Sequence, residues 1–314
     1  MLTLERVTKV YRLGAFGLRK LTAVQDVSFE IGEREIVALI GESGSGKTTI
    51  GRMILRLTPI TSGTIRFEGV DISTLRGRAL KEYYRKVQGV FQDPFASFNP
   101  IFKADRIFWM VRDEFYPDVS RKEWADRIEE ALRSVGLNPP DVLNKYPHQL
   151  SGGQLQRFLI ARALLLDIRF LVADEIISML DASTRIDVLN LLADLKEQGL
   201  SILFITHDLS LGYYVSDRSV ILYRGRVVEM GAIEKVYSNP CHPYTQMLMA
   251  SVPRVDRKWE KSSGSLGTTQ AEGETGCVYY SRCPASEKSC LENCPELVQV
   301  EPDHFVACHL ASRR

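Results

Sequence analysis

Residues 35–40 form a short apolar run. It leads directly into Gly41-Glu42-Ser43-Gly44-Ser45-Gly46-Lys47-Thr48-Thr49 and then a helical pattern over residues 47–57. No other stretch limits the possible folds as tightly. The loop fits G-x-x-x-x-G-K-[ST], and it sits between a buried strand and a helix, the context in which that pattern carries meaning. Its glycines let consecutive backbone N–H groups point at the α- and β-phosphates of a nucleotide. Lys47 reaches the β/γ oxygens, and the Thr48 hydroxyl can ligate Mg²⁺.

The same alternation of apolar runs and helical patterns continues along the chain and places it in the α/β class. Residues 2–10 and 24–31 read as early strands, and 64–67 and 87–91 as later ones. Residues 105–135 are helical in pattern, with Gly136-Leu137-Asn138-Pro139-Pro140 as a stop. Residues 170–173 and 202–205 read as buried strands separated by a helix over 183–198. Runs 220–223 and 227–230 straddle Arg224-Gly225 as a hairpin. Residues 94–166 are expected to form a mostly helical arm. Composition shifts near Asp256 into a small, polar, aperiodic stretch. The expected division is therefore a sheet domain over 1–254, a linker over 255–276 and a cysteine-rich extension over 277–314.

Composition excludes several classes. With 314 residues, 45% hydrophobic and 25% charged, the chain is that of a soluble globular protein, and its net charge of +1 gives no case for a nucleic-acid partner. The longest apolar stretch, 158–173, is interrupted by Arg162, Asp167 and Arg169, so no membrane span is expected. The N-terminus does not read as a signal peptide, so the expected location is cytosolic, docked on an integral partner.

A second glycine-rich element lies about a hundred residues downstream, at Leu150-Ser151-Gly152-Gly153-Gln154-Leu155-Gln156-Arg157. Ser151 can cap a helix running from Gln154 toward Leu166, while Gly152 and Gly153 permit close backbone approach, which makes another anion site. Asp174 ends an apolar run and can hold Mg²⁺ through its water shell. Glu175, the next residue, is the expected base for the attacking water. His207 ends another buried strand and could reach the γ-phosphate edge, although a lone histidine is ordinarily structural. Gln92 could bind Mg²⁺ or water, and Tyr11 could stack on a purine.

In their order these motifs resemble the ATP-binding-cassette (ABC) ATPases. Residues 41–48 are like the Walker A loop, Gln92 the Q-loop and Leu150-Ser151-Gly152-Gly153-Gln154 the signature motif. Residues 170–175 are like Walker B, 178–181 the D-loop, and His207 the switch histidine. The resemblance implies a RecA-like sheet core with an antiparallel β subdomain and a helical subdomain. It also implies that ATP and Mg²⁺ are sandwiched between one subunit's Walker A and a second ATPase subunit's signature motif. Residues 90–100, Asn239-Pro240-Cys241-His242-Pro243-Tyr244-Thr245-Gln246 and Ser251-Val252-Pro253-Arg254 are similar to dipeptide and oligopeptide importer ATPases. That match implies a peripheral subunit on the cytoplasmic face of the membrane. It would energise two permease subunits fed by an extracytoplasmic solute-binding protein, with the region after Gln92 docking on a permease. Import of oligosaccharides and a soluble, non-transport ATPase are the alternatives. One departure stands out. The family usually reads Asp-Glu-Pro-Thr-Ser-Ala-Leu-Asp, where this chain has Asp174-Glu175-Ile176-Ile177-Ser178-Met179-Leu180-Asp181, losing a proline-fixed φ just after the expected base.

Five of the six cysteines crowd the last 38 residues. Clustering of this kind in a cytosolic chain argues for metal or redox chemistry over disulfides. Cys277, Cys283, Cys290 and Cys308 match the subfamily's tail, which in some members resembles an iron–sulfur ligand set. Thiolates suit both zinc and a [4Fe–4S] cluster. Cys241 and Cys294 read as bystanders, and the tail is too short to build an apolar core of its own.

Overall fold

The computed structural model describes residues 1–14, 18–251 and 276–311. Most of the expected linker, and Val252-Pro253-Arg254 before it, lie outside the described residues. The chain divides into two compact units. One comprises Met1, residues 31–35 and residues 72–204; the other comprises residues 2–30, 36–71 and 205–314.

In the first unit, Phe170–Asp174 lies between Val87–Val90 and Ser201–Thr206 in the sheet. The first two strands are parallel, with Gly89 opposite Val172 and Val90 opposite Ala173. All five residues of Phe170–Asp174 are buried, as a strand covered on both faces requires. The helical pattern over 105–135 proves to be two helices, Arg106–Phe115 and Arg121–Ser134. Pro117 accounts for the break, because the residue before a proline is driven from the helical region, and Tyr116 sits at φ −137°, ψ 51°. The second helix restarts where the Ser120 hydroxyl accepts from the Glu123 N–H at 3.2 Å. The stop expected over residues 136–140 holds, since this helix ends at Ser134, and Pro139 then opens a separate one-turn helix, Pro139–Val142, because proline suits the first helical position. These helices converge on Trp124, which is fully buried and donates its indole N–H to the Phe108 carbonyl at 3.1 Å. Phe108 in turn stacks on Phe158 of Gly152–Leu164, with ring centroids 4.5 Å apart.

The second unit holds two sheets. Strands Arg19–Ile31, Leu2–Leu13, Ser62–Phe67 and Val70–Asp71 form one, in that order. In the other, Ile36–Ile40 pairs in parallel with Arg218–Tyr223, which turns back antiparallel into Arg226–Ala232. Arg224 and Gly225 both adopt positive φ, at 45° and 81°, the tight two-residue hairpin turn that matches strand twist. The helix after the glycine loop is shorter than its pattern, ending at Ile54.

The cysteine-rich tail solves its lack of a core by joining this unit. Strand His304–Val306 pairs with Arg226–Ala232, and Val298–Glu301 pairs with His304–Val306. Cys277, Tyr279 and Cys290 are buried in one cluster with Ala38, Ile40, Ile221, Tyr223 and Tyr244. Glu229 and His304 anchor the junction, both fully buried. The Glu229 carboxylate accepts from the backbone N–H groups of Cys241 and His242, at 2.8 and 2.9 Å, and pairs with His304 Nε2 at 2.7 Å. His304 Nδ1 lies 3.0 Å from Glu301.

Burial pulls the His304 pKa down, but hydrogen bonds to Glu229 and Glu301 outweigh it and the net shift is upward from 6.5. A raised pKa means the pair stabilises fully below the unfolded value and fades as pH climbs through the folded one. The melting temperature of the wild type should therefore exceed that of a His304→Gln variant most at about pH 6. The gap should shrink toward about pH 9, and a gap that widens with pH in thermal melts would contradict this account.

Candidate functional site

The glycine loop is shaped by close backbone contacts. A Cβ on Gly41 would stand 2.2 Å from the Leu222 carbonyl oxygen, and one on Gly46, at φ 107°, would stand 2.4 Å from that of Ala23. The hairpin tip braces the loop, with the Gly225 N–H donating to the Ser45 carbonyl at 2.8 Å. Gly44 also has positive φ, yet open space surrounds it, and Ser43 beside it is exposed. Helix Lys47–Ile54 starts at Gly46 without a side-chain cap, with Thr48 and Thr49 in its first turn. An uncapped helix start behind such a loop is an anion cradle. The Ser45 Oγ is buried without a hydrogen-bond partner among the described residues, an orphan hydroxyl that a polar ligand in the loop would satisfy. Lys47 curls back, its ammonium donating to the carbonyls of Gly41 and Glu42 at 2.7 and 3.0 Å. Elsewhere in this unit Tyr11 carries the Lys9 ammonium 4.9 Å from its ring centroid. His207 is exposed at the end of Ser201–Thr206, and Asp208 caps the helix that follows.

In the first unit, parallel pairing makes the chain leave Val90 and Ala173 at the same sheet end. Gln92, Asp174 and Glu175 therefore emerge together. Asp174 is buried, and Glu175 takes the left-handed backbone, φ 50°, a conformation costly for a residue with a Cβ. The turn after it is held without the family's proline. Ser178 donates both N–H and hydroxyl to the Glu175 carbonyl, at 3.1 and 2.8 Å, while Ile176 and Ile177 are buried.

The second glycine element opens helix Gly152–Leu164 with a reciprocal cap. Ser151 Oγ accepts from the Gln154 N–H at 3.2 Å, and Gln154 Oε1 accepts from the Ser151 N–H at 2.9 Å. The serine hydroxyl proton remains available to donate onward. The two glycines differ. A Cβ on Gly153 would lie 2.7 Å from Thr184 Cγ2, whereas one on Gly152 would meet nothing within 4 Å. Gly153 is thus explained by this chain's own packing, and Gly152 is not. Gln156, fully buried, donates to the Phe91 carbonyl at 3.2 Å and ties this helix to the segment before Gln92.

The tail brings Cys277, Cys283, Cys290 and Cys308 into mutual electrostatic range. Burial, above all, pushes the Cys277 thiol up to about 11, and it raises Cys283 as well. The Cys277 and Cys283 thiols keep their protons at neutral pH unless a cation replaces them, and four thiols in mutual range are a donor set that metals and clusters take. Cys294 and Cys241 are outside this set, and no disulfide joins any cysteine among the described residues. A separate grouping of Glu229, Cys241 and His304 has ligand atoms within 4.8 Å of one another, and the hydrogen bonds around Glu229 already account for it. Sequence reasoning missed Gln156 as a tether and missed Tyr244, whose hydroxyl accepts from the Glu42 N–H at 2.9 Å. The tyrosine stood in view within the Asn239–Gln246 motif, but its partner lies 202 residues away.

Residues 24–178 match the family model described as ABC transporter, and residues 228–290 match the oligopeptide/dipeptide transporter, C-terminal region. A putative peptide import ATP-binding protein of Brucella ovis is 42% identical over 98% of this chain and 97% of its own length. An oligopeptide transport ATP-binding protein of Bacillus subtilis is also 42% identical, over 92% of this chain and 90% of its own. Among solved structures, an ATP-binding cassette captured as a dimer in a post-hydrolysis state with ADP and Pi superposes with a TM-score of 0.66. It is 30% identical and covers 74% of this chain and 99% of its own.

The unequal glycines give a paired test. Gly153→Ala should cost about 1–3 kcal/mol of stability in denaturant melts through its clash with Thr184. Gly152→Asp should keep the fold, because an acidic residue suits a helix start, yet abolish ATP hydrolysis by repelling phosphate.

Proposed function

This chain belongs to the ABC transporter family, and from that membership we propose that it hydrolyses ATP to energise peptide uptake through separate permease subunits. The observation that carries the reading is the phosphate loop paired with a second anion element whose Gly152 faces open space. A nucleotide held by another subunit is the natural occupant of that space. The related cassette solved as a dimer with ADP and Pi supports the same arrangement.

In this reading the loop from Gly41 to Thr49 binds the triphosphate, with Lys47 turning outward onto the β/γ oxygens and Tyr11 beside the base. Thr48, Gln92 and Asp174 would hold Mg²⁺, which when bound neutralises charge developing on the phosphate oxygens. Glu175 accepts a proton from the attacking water, and His207 contacts the γ-phosphate edge. Glu175 holds its left-handed backbone, φ 50°, directly after the strand that ends at Asp174. Ser151, Gly152, Gly153 and Gln154 close over the partner's nucleotide, the serine donating its hydroxyl proton.

Peptide as cargo rests on the names of the relatives and on the C-terminal region match. For docking, large apolar side chains at Phe95, Ile101, Phe102 and Met110 are exposed by 40% or more, all within residues 95–110. Large exposed apolar side chains recurring within one short stretch of sequence favour a partner surface, here a permease loop at the cytoplasmic face of the membrane. No helix among the described residues is long and apolar enough to cross a membrane. A solute-binding protein would deliver the peptide from the other side. We further assign residues 1–254 to the ATPase domain, with its helical part at about 94–166. Residues 255–276 are assigned to a linker and 277–314 to an extension whose four thiols hold a [4Fe–4S] cluster. A cluster is preferred over zinc because the gaps of six, seven and eighteen residues between these cysteines lack the close C-x₂-C pairs of common zinc ribbons.

Glu175→Gln should keep ATP binding and lower hydrolysis by about 10²–10⁴-fold, the usual worth of a general base. Near-normal turnover in a phosphate-release assay would remove Glu175 from that role. The intact complex should co-purify from membranes with two permeases, and the isolated subunit should bind ATP but hydrolyse it poorly.

A further inference from the structure

The cysteine-rich tail grips the phosphate loop through one residue. Arg282, immediately before Cys283, forms a two-pronged ion pair with Glu42, Nη1 donating to Oε2 at 2.8 Å and Nη2 to Oε1 at 3.0 Å. Its guanidinium carbon lies 5.8 Å from the Tyr223 ring centroid and 5.7 Å from that of Tyr279, so aromatic faces fix its plane. The arginine side chain is only 21% exposed. Glu42 is held at every polar group. Its N–H donates to Tyr244, its carbonyl accepts from Lys47, and its carboxylate is taken by Arg282.

The charge of Glu42 is the puzzle this contact answers. A carboxylate on the loop that receives a triphosphate lies well within a Debye length, about 8 Å at physiological salt, of the incoming charge. Left alone, it would repel the ligand. Arg282 cancels it, and the fork geometry also fixes the loop's direction. We propose that Arg282 is a positioning residue of the nucleotide site, through which the cysteine-rich tail and bound ATP affect one another. Any such influence must run both ways, because coupling free energy is reciprocal. Arg282 sets the loop for ATP, and ATP in turn restrains the backbone next to Cys283. The inference rests on the reading of residues 41–49 as an ATP site.

The test uses the full-length chain and a fluorescent N-methylanthraniloyl derivative of ATP with Mg²⁺, at low and at physiological salt. Arg282→Ala should weaken binding about fivefold to thirtyfold at low salt, in the usual range of coupling between sites, and by less at higher salt. Arg282→Lys should recover part of the loss, keeping charge but only one prong. Adding Glu42→Gln to Arg282→Ala should restore binding, because the uncompensated carboxylate is gone. A merely structural strut predicts a double variant no better than the single one. If Arg282→Ala does not fold, Arg282→Gln, similar in reach but uncharged, carries the same comparison. As a second readout, Mg²⁺–ATP should slow backbone amide hydrogen exchange at residues 280–283 in the wild type and not in the Arg282→Ala variant. Wild-type affinity in the single variant at both salts, no rescue in the double variant, or equal exchange protection in both proteins would each overturn the proposal. Failure of the wild type to bind the nucleotide would instead sink the ATP-site reading on which it stands.

Discussion

A single buried carboxylate organises the second unit. Burying a charge costs several kcal/mol unless donors surround it, and Glu229 has three: two backbone N–H groups and the His304 ring. The consequences spread outward. The two backbone contacts fix Cys241 and His242 at the start of helix Pro243–Ala250, where His242 Nδ1 accepts from the Tyr244 N–H at 3.0 Å. Burial holds His242 down at about pH 4, so that nitrogen stays an acceptor across the neutral range. Tyr244 is thereby presented to the Glu42 N–H. The ring contact fixes strand His304–Val306 and with it the tail that supplies Arg282. Two routes from one carboxylate thus meet at Glu42 in the phosphate loop.

The first unit follows a different logic, in which two neighbouring glycines meet unlike surroundings. Gly153 is held glycine by Thr184 in the same unit, whereas among the described residues a Cβ on Gly152 would meet nothing within 4 Å. The reciprocal cap of Ser151 and Gln154 gives the helix start its form without using up the serine's donor proton. Asp181 behaves as an ordinary cap by contrast. Its carboxylate accepts from the Thr184 N–H and from the hydroxyls of Ser183 and Thr184, which holds it down at about 2. The contrast separates a cap that takes three donors from one that exchanges a single pair of bonds with Gln154.

Legibility in the sequence followed contact range. The phosphate loop, the Ser151 cap, the buried strand ending at Asp174 and the Arg224-Gly225 hairpin are local in sequence, and each reads directly from residue type and spacing. The break at Tyr116-Pro117 was local too, but helical periodicity on both sides concealed it. The stop over residues 136–140 is legible, with the helix ending at Ser134, but the short helix that Pro139 then opens is not, since a proline stops one helix and opens another with equal ease. The ion pair between Glu42 and Arg282 spans 240 residues, and no local pattern announces it. The same holds for the tail's two added strands, whose value is apparent only once Arg226–Ala232 offers them an edge. The tail could be seen to lack a core, but not whose core it would share.

The departure after Glu175 illustrates how a fixed geometry can be rebuilt. A proline would set one φ covalently and leave little else for the turn to do. Here Ile176 and Ile177 are at most 2% exposed, and the Glu175 carbonyl takes two bonds from Ser178. Burying two β-branched side chains contributes roughly 1.5–3 kcal/mol each. That is comparable to the roughly 1–3 kcal/mol that a left-handed φ at a non-glycine residue costs. The burial can therefore hold Glu175 in its strained backbone without the proline. What changes is the origin of the rigidity: it now depends on the packing of the first unit and would soften with it, where a proline ring would not.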